Sequence, residues 1–248
     1  MSLLLTLYLP TVCSAQTPTA EQILDRYLEV TGGRAAYEQI RTETVTGVME
    51  MKAQGLRGRL LGLRNDRQES YNSVEIDGVG KIEEGFHQGI AWEKSAMAGP
   101  RIKTGEERAF FAREAAMAKD SRWRDFYAHA ELQGEEMVGG VACFKVLLTP
   151  REGTRPETRF YEKESGLLKR VTMVLASPMG DLPVESLFGA YKEFGGLKVP
   201  TSIITRMAGQ EMAMTIQSVE HNKEIPAERF VPPADVRTLA ERLSRKVN

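Results

Sequence analysis

Three consecutive segments between Arg159 and Pro233 decide the fold of this chain. They read RFYEKESGLLKRVTMVL (159–175), PVESLFGAYKEFGGLKVPTSIITRM (183–207) and GQEMAMTIQSVEHNKEIPAERFVPP (209–233). Apolar side chains recur in them at every second position, and short glycine-containing turns separate the runs. This alternation predicts an antiparallel meander with one apolar face. Its apolar positions are Val171, Met173 and Leu175, then Met212, Met214 and Ile216.

Shorter runs of the same alternation precede the meander, with helices between and around them. Thr17-Pro18-Thr19 predicts the start of a first helix, which Gly32-Gly33 ends. A second helix is predicted from Arg34 to Ile40, a third from Glu106 to Lys119, and a last one begins near Ala234. The predicted strands are Thr42–Met51, Leu56–Arg64, Arg67–Ile76, Val79–Phe86 and Ile90–Glu93, then Ala130–Glu136 and Val141–Thr149 before the meander.

This order of elements predicts a mainly β chain with helices, of the α+β class. Such a chain forms either two stacked sheets or one strongly curved antiparallel sheet. Gly47, in the middle of the first strand, is expected to mark a bend. Helices inserted between sets of strands are expected to cover the concave side of a curved sheet.

The composition indicates one globular domain and argues against a nucleic-acid-binding protein. The chain has 248 residues, a formal net charge of −1 and 27% charged residues. Nucleic-acid-binding domains are usually clearly basic. Arg57, Arg59, Arg64 and Arg67 form the densest basic group. They are expected to be a solvated strand face, with contact to lipid phosphates as the alternative.

The first 16 residues, MSLLLTLYLPTVCSAQ, resemble a secretory leader. They contain no charged side chain, and Leu3–Leu9 is too short to span a bilayer. Cys13-Ser14-Ala15 has the small residues that precede a cleavage site, although a basic n-region is missing. We expect a signal peptide over residues 1–15 and a single domain over residues 16–248. A lipoprotein leader with Cys13 lipidated is the alternative, and Val12 fits it poorly because a small residue is expected there.

No catalytic residue, metal site or cofactor site is predicted. His87, His129 and His221 have no second ligand at metal-binding spacing, and there is no HExxH, CxxC or GxSxG motif. Gly55, Gly58 and Gly62 lie inside a strand-like run, so they do not form a dinucleotide fingerprint. The chain is therefore expected not to be an enzyme.

Methionine is the residue whose distribution suggests a function. The chain has 11 Met, and many of them fall in predicted strands. Methionine is flexible and polarizable, and surfaces that accept varied apolar partners use it often. An ordinary core with methionine as a gap filler is the equal alternative. The candidate ligand-binding residues of an apolar cavity are Met49, Met51, Phe110, Met117, Met173, Met207, Met212, Met214 and Ile216.

Four stretches, three of them within the segments quoted above, carry a resemblance to a known family. They are ILDRYLEVTGGRAAYEQIRT (23–42), FYEKESGLLKRV (160–171), YKEFGGLKVPTSI (191–203) and VEHNKEIPAERFVPP (219–233). The sequence resembles the LolA-like periplasmic proteins, often described as outer-membrane lipoprotein-sorting proteins. The resemblance implies an incomplete β-barrel, a strongly curved antiparallel sheet with helices closing its concave side. It also implies transport of acylated ligands in that cavity, although membrane-transfer elements of the lipoprotein carriers are not recognisable here.

We therefore expect a non-catalytic periplasmic carrier or sensor that binds lipid or acylated protein, including lipoprotein, in an apolar cavity. The membrane surface, the outer membrane included, and envelope proteins are further candidate partners; nucleic acid is not. The main alternative is a structural or interaction module of the cell envelope whose sheet buries a filled core. A third hypothesis is a hydrolase whose site is assembled from distant residues.

Overall fold

All the strands described form one antiparallel sheet. The computed structural model describes residues 17–247. Its sheet has 13 strands in the order β6-β5-β4-β3-β2-β1-β13-β12-β11-β10-β9-β8-β7. The strands are β1 Thr42–Met51, β2 Leu56–Asn65, β3 Ser70–Ile76, β4 Gly80–His87, β5 Ile90–Ser95, β6 Gly99–Lys103, β7 Tyr127–Val138, β8 Val141–Pro150, β9 Glu157–Glu162, β10 Leu168–Ser177, β11 Gly180–Phe194, β12 Leu197–Met207 and β13 Gln210–His221.

Within residues 17–247, five α-helices flank the sheet, and the first begins as the sequence predicts. The Thr19 side chain accepts a hydrogen bond from the Gln22 amide, and the Gln22 side chain accepts one from the Thr19 amide. This reciprocal cap fixes the helix start. The helices are α1 Ala20–Val30, α2 Arg34–Glu38, α3 Gly105–Ala115, α4 Trp123–Phe126 and α5 Ala234–Val247.

The contacts of α3 require the sheet to be curved. This helix packs against β4 and β5 and also against β10. In the strand order, β5 and β10 are eight steps apart, which corresponds to roughly 38 Å across a flat sheet. A helix is only about 10–12 Å in diameter. The sheet must therefore bend so that its two halves approach the same helix, as an open half-barrel does.

The junction of β1 and β13 contains an irregularity at the glycine that the sequence singles out. The register shifts between Thr46 and Gly47, so that Gly47 lies opposite Ile216 and Thr46 opposite Ser218. A Cβ atom at Gly47 would come within 2.3 Å of the Thr215 carbonyl oxygen. Only glycine permits this close approach of the two backbones, and bulges of this kind increase local twist.

Cross-strand register defines the two faces of the sheet. Met49 pairs with Met214, and Met214 pairs with Ile203 on the next strand. Directly opposed residues project to the same side. We call the side that carries these three residues the inner face. The same reasoning places Met173, Val171, Glu157 and Arg159 on it.

Helices cover parts of both faces. On the inner face, α1 and α4 pack over the buried side chains of β7 to β10, in one cluster with Tyr161, Val146 and Leu148. Helix α3 packs over Phe86 and Ala91, also on the inner face. On the outer face, Val236 of α5 packs with Leu63, Tyr71 and Trp92. The inner face of β1, β2, β12 and β13 lies between these helical contacts.

Three elements differ from the prediction. The helix α4 was missed because its four residues are too few to show a helical period. Strand β6 was missed because Pro100 reads as a break, but this strand is the edge of the sheet, where proline is tolerated. Helix α3 ends at Ala115 rather than Lys119, because Ala116 has an extended backbone. The chain then turns so that Met117 packs against Ile40 and Leu197.

Candidate functional site

The inner face contains an apolar cavity of about 680 Å³ between β1–β4 and β12–β13. The two halves of its floor are joined by the Met49–Met214 pair across the β1–β13 junction. Its wall is mostly aliphatic and thioether side chains from positions that alternate along each strand. The apolar residues that line it are Val45, Met49, Met51, Leu60, Val74, Ile76, Ile82, Val199, Ile203, Met207, Met212, Met214 and Ile216.

The structure brings six of the nine sequence-selected residues to this one cavity. They are Met49, Met51, Met207, Met212, Met214 and Ile216. Phe110 and Met173 lie in the wall of a neighbouring cavity beside α3. Met117 is placed elsewhere, buried with Ile40 and Leu197. The period-two pattern located the strand residues, whereas Met117 depended on a helix that ends before it.

One end of the apolar cavity is polar. Arg64 Nη1 donates a hydrogen bond to Glu43 Oε1 at 2.9 Å, and His221 Nε2 lies 3.4 Å from Glu43 Oε2. Burial by itself raises the pKa of Glu43, but the hydrogen bond with His221 and the charge of Arg64 outweigh it and lower the pKa. The expected basic strand face is thus divided: Arg64 points inward, while Arg57 and Arg59 are exposed on the other side.

Polar contacts fix α3 at both of its flanks. Arg101 on β6 donates two hydrogen bonds to Glu107, at 2.6 and 2.8 Å. On the opposite flank, Glu106 accepts hydrogen bonds from the backbone and side chain of Thr154, in the loop between β8 and β9. Lys103 also lies 3.4 Å from the centre of the Phe111 ring. The helix is therefore attached to both halves of the curved sheet, largely through charged groups.

A second cavity of about 260 Å³ lies between α3 and the sheet. Its walls come from α3, from β4–β6 and from β10, and they combine aromatic, aliphatic and charged side chains. Glu84 and Met207 line both this cavity and the larger apolar one. The two spaces therefore adjoin each other along the inner face.

A buried ion-pair network reaches the second cavity through Arg113 and Glu157, and the sequence analysis missed it. Arg159 donates hydrogen bonds to Glu157 at 2.6 Å, to Asp120 at 2.8 Å and to the Tyr127 hydroxyl at 2.9 Å. Tyr127 in turn donates to Glu157 at 2.8 Å. Arg113 of α3 approaches the same carboxylate at 3.7 Å. The sequence does contain a sign of this network, because Glu157 and Arg159 are charged residues at the alternating positions of β9 that face the core.

Residues 17–247 contain no candidate metal cluster and no helix suited to crossing a bilayer. No three His, Cys, Asp or Glu side chains in this range cluster closely enough to hold a metal ion. No helix within it combines the length and apolar character needed to cross a bilayer.

Comparison with solved structures identifies the fold. A DUF1329 family protein from Desulfovibrio piger matches with a TM-score of 0.59 and 16% identity, over 88% of this chain and 100% of its own. A LolA superfamily protein from Nitrosomonas europaea matches with a TM-score of 0.58 and 15% identity, over 87% and 99% of the two chains. A domain classed with the outer membrane lipoprotein-sorting proteins, from Vibrio parahaemolyticus, gives 0.55 and 14%, over 85% and 97%.

These matches confirm the resemblance that the sequence carries. The chain has the LolA-like fold, an open, curved antiparallel sheet with a few helices, over nearly its whole length. At 14–16% identity the likeness concerns the fold. No protein-family model matches the sequence, and no curated protein matches it significantly.

Proposed function

We propose that this protein is a non-catalytic carrier or sensor that binds the acyl chain of a lipid or an acylated protein on its inner face. The observation that supports this most is the apolar cavity of about 680 Å³, whose floor is made of flexible methionines. Ligand pockets are typically roughly 300–1,000 Å³ and mostly apolar. Each methylene group buried there would contribute about 0.8 kcal/mol.

The alternative, an envelope module with a filled core, requires protein side chains in this space. The cavity argues against it, because the inward residues of β1, β2, β12 and β13 leave a volume large enough for a ligand. In the proposed carrier, α3 acts as a movable cover over the adjoining 260 Å³ space, whose wall it forms, rather than over the apolar cavity itself. Its polar attachments on both flanks can open without exposing a large apolar core.

Met214→Glu tests the acyl site directly. Met214 lies at the middle of the cavity floor, between Met49 and Ile203. A carboxylate there would lose its water or compete with the ligand. We expect Met214→Glu to lower the affinity for the neutral fluorescent probe N-phenyl-1-naphthylamine at least about tenfold. The affinity for 1-dodecanol, measured by displacement of the probe, should fall by a similar factor. A face open to water tolerates the charge, so the unfolding temperature should change little.

Thr215→Glu is the matched control, because Thr215 is adjacent but exposed on the outer face. It should leave probe binding unchanged. A wild-type protein that binds neither probe nor dodecanol would contradict the carrier. A Met214→Glu variant that simply unfolds would favour the filled core.

We also propose that the chain is exported to the periplasm and that residues 1–15 are removed as a signal peptide, leaving one domain from residue 16. These residues lie outside the part of the chain that the structure describes. N-terminal sequencing of the native protein from fractionated cells should give Gln16 as the first residue. Recovery from the cytoplasm with an intact amino terminus would contradict export.

A further inference from the structure

Arg113 is a buried cation whose hydrogen-bonding capacity is poorly used. Its side chain is 8% exposed and lies in the wall of the 260 Å³ cavity. Within residues 17–247, its buried Nε atom has no hydrogen-bond partner. Its ion pair with Glu157, at 3.7 Å, is longer than a hydrogen bond. A buried charged donor without a partner is costly, so its retention calls for an explanation.

The neighbouring Arg159 shows the contrast. It lies on the same buried network but donates hydrogen bonds to Glu157, Asp120 and Tyr127. The nearest carboxylate to Arg113 is therefore already engaged by another guanidinium and by a phenol. Glu157 offsets the charge of Arg113 but does not saturate its donors.

Aromatic rings hold the Arg113 guanidinium in place. Its central carbon lies 5.6 Å from the centre of the Phe110 ring and 5.4 Å from that of Tyr127. Contacts with ring faces stabilise a guanidinium through its charge and leave its N–H groups available for a ligand. The planar, preorganised arrangement of these donors suits a carboxylate or phosphate.

The other charged groups around this cavity already have partners. Each of the six carboxylates in its wall interacts with a cation or with hydrogen-bond donors of the protein. The contacts are Glu84 with Lys103, Glu93 and Glu107 with Arg101, Glu106 with Thr154, Glu152 with Arg108, and Glu157 with Arg159. The wall also contains the cations Arg101, Lys103 and Arg155. Each of them is paired with a carboxylate at 3.1 Å or less, although the Arg155 Nε atom also lacks a partner. Among the residues described, Arg113 is therefore the cation of this wall without a carboxylate at hydrogen-bond distance, and it has capacity for an anionic ligand.

We propose that Arg113 binds the oxyanion head group, carboxylate or phosphate, of an acyl ligand whose chain occupies the apolar cavity. This inference rests on the proposed carrier function. Glu84 and Met207 line both the 260 Å³ cavity, which contains Arg113, and the 680 Å³ apolar cavity. A head group bound at Arg113 would therefore lie beside the space that we assign to the acyl chain. The head group lies under α3, so its binding also links this helix to the sheet.

Competition against the neutral probe separates head group from chain. We compare dodecanoate, dodecyl phosphate and 1-dodecanol, which share one chain, with inorganic phosphate, which has none. For the wild type, the two anionic ligands should displace the probe at concentrations at least about tenfold lower than dodecanol, as expected for charge-assisted hydrogen bonds. Arg113→Gln should remove this preference and leave dodecanol binding unchanged. Arg113→Lys, which keeps the charge without the planar donors, should retain part of it.

Arg108→Gln is the matched control, because Arg108 lies on the same helix but is only half-buried and has partners in Glu152 and the Gly89 carbonyl. It should keep the full preference for the two anionic ligands over dodecanol.

Equal affinities of the wild type for dodecanoate and dodecanol would overturn the head-group site while leaving the carrier intact. Failure of every ligand would overturn both. If inorganic phosphate alone displaces dodecanoate at similar concentrations, the site is one for a free anion. If Arg113→Gln does not fold, the ratio of the affinities for dodecanoate and dodecanol can still be compared between Arg113→Lys and the wild type. An unchanged ratio in Arg113→Lys would contradict a role for the planar donors of Arg113.

Discussion

At the scale of single residues, Glu157 is the most strongly perturbed acid of the inner face. Burial by itself raises the pKa of Glu157, but the charges of Arg159, Lys119 and Arg113 and the hydrogen bond from Tyr127 outweigh it. Together they lower the pKa from 4.5 to about 2. Because the folded pKa lies below the unfolded one, the carboxylate stabilises the fold fully above pH 4.5. This contribution is lost as the pH falls toward 2.

Glu157→Gln should therefore change the pH dependence of stability. At neutral pH we expect the free energy of unfolding to fall by on the order of 3 kcal/mol, since the substitution removes the carboxylate that two buried guanidinium groups share. Below pH 4.5 the gap between variant and wild type should narrow. Denaturant unfolding over a range of pH measures this.

Glu135→Gln provides the surface comparison, because Glu135 pairs with Lys163 in an exposed position. It should cost less than about 1 kcal/mol at neutral pH. Parallel pH profiles for wild type and Glu157→Gln would show that this carboxylate does not contribute through its ionisation.

The residue scale is also where sequence reasoning was weakest. Alternation places Glu157 and Arg159 on the core face of β9, but their partners Tyr127 and Asp120 come from distant positions and a different element. Without the strand order, no spacing rule brings these four together. By contrast, local alternation alone places Met212 and Met214 on one face of β13, and both line the apolar cavity of the inner face.

At the scale of elements, α3 is held to the sheet largely by polar contacts. Its buried side chains are the small residues Ala109 and Ala115 together with Arg113. The strands of the meander, in comparison, are paired on both sides along most of their length. Few large buried apolar side chains favour local opening at a cost below that of global unfolding.

Hydrogen exchange should accordingly show amides of Gly105–Ala115 exchanging well before those of β10–β13. Glu107→Gln removes the paired hydrogen bonds from Arg101 and should speed exchange in α3 alone. Glu211→Gln, which breaks an exposed pair with Arg206, should leave α3 unchanged. Equal protection of α3 and the meander would contradict a cover that opens and leave a firmly packed helix.

The elements themselves were largely predictable where the signals are local. The cap at Thr19, the turn glycines and the alternating runs give α1 and most strands. The edge strand β6 required knowledge of its position, because Pro100 is acceptable only where one side is unpaired. The end of α3 required tertiary contacts, since Met117 turns away to pack against Leu197.

At the scale of the whole molecule, the sheet is long enough to curve and is covered only in part. Helices α1 and α3 occupy the inner face at its two flanks, and the methionine floor lies between them. One continuous sheet therefore has two different regions on its inner face. At β7–β10 it forms a packed core, and at β1–β4 and β12–β13 it leaves a space of ligand size. We propose that an acyl chain occupies this space.

The most direct test is the dependence of affinity on chain length. We would displace the neutral probe with a series of 1-alkanols from hexanol to tetradecanol, using wild type and Met214→Glu. If the chain is buried in the cavity, each added methylene should tighten binding to the wild type by about fourfold, equivalent to about 0.8 kcal/mol. The gain should stop once the cavity is filled. An alkanol affinity of the wild type that does not rise with chain length would contradict burial of the chain in this cavity. The same gain per methylene in Met214→Glu as in the wild type would also contradict it.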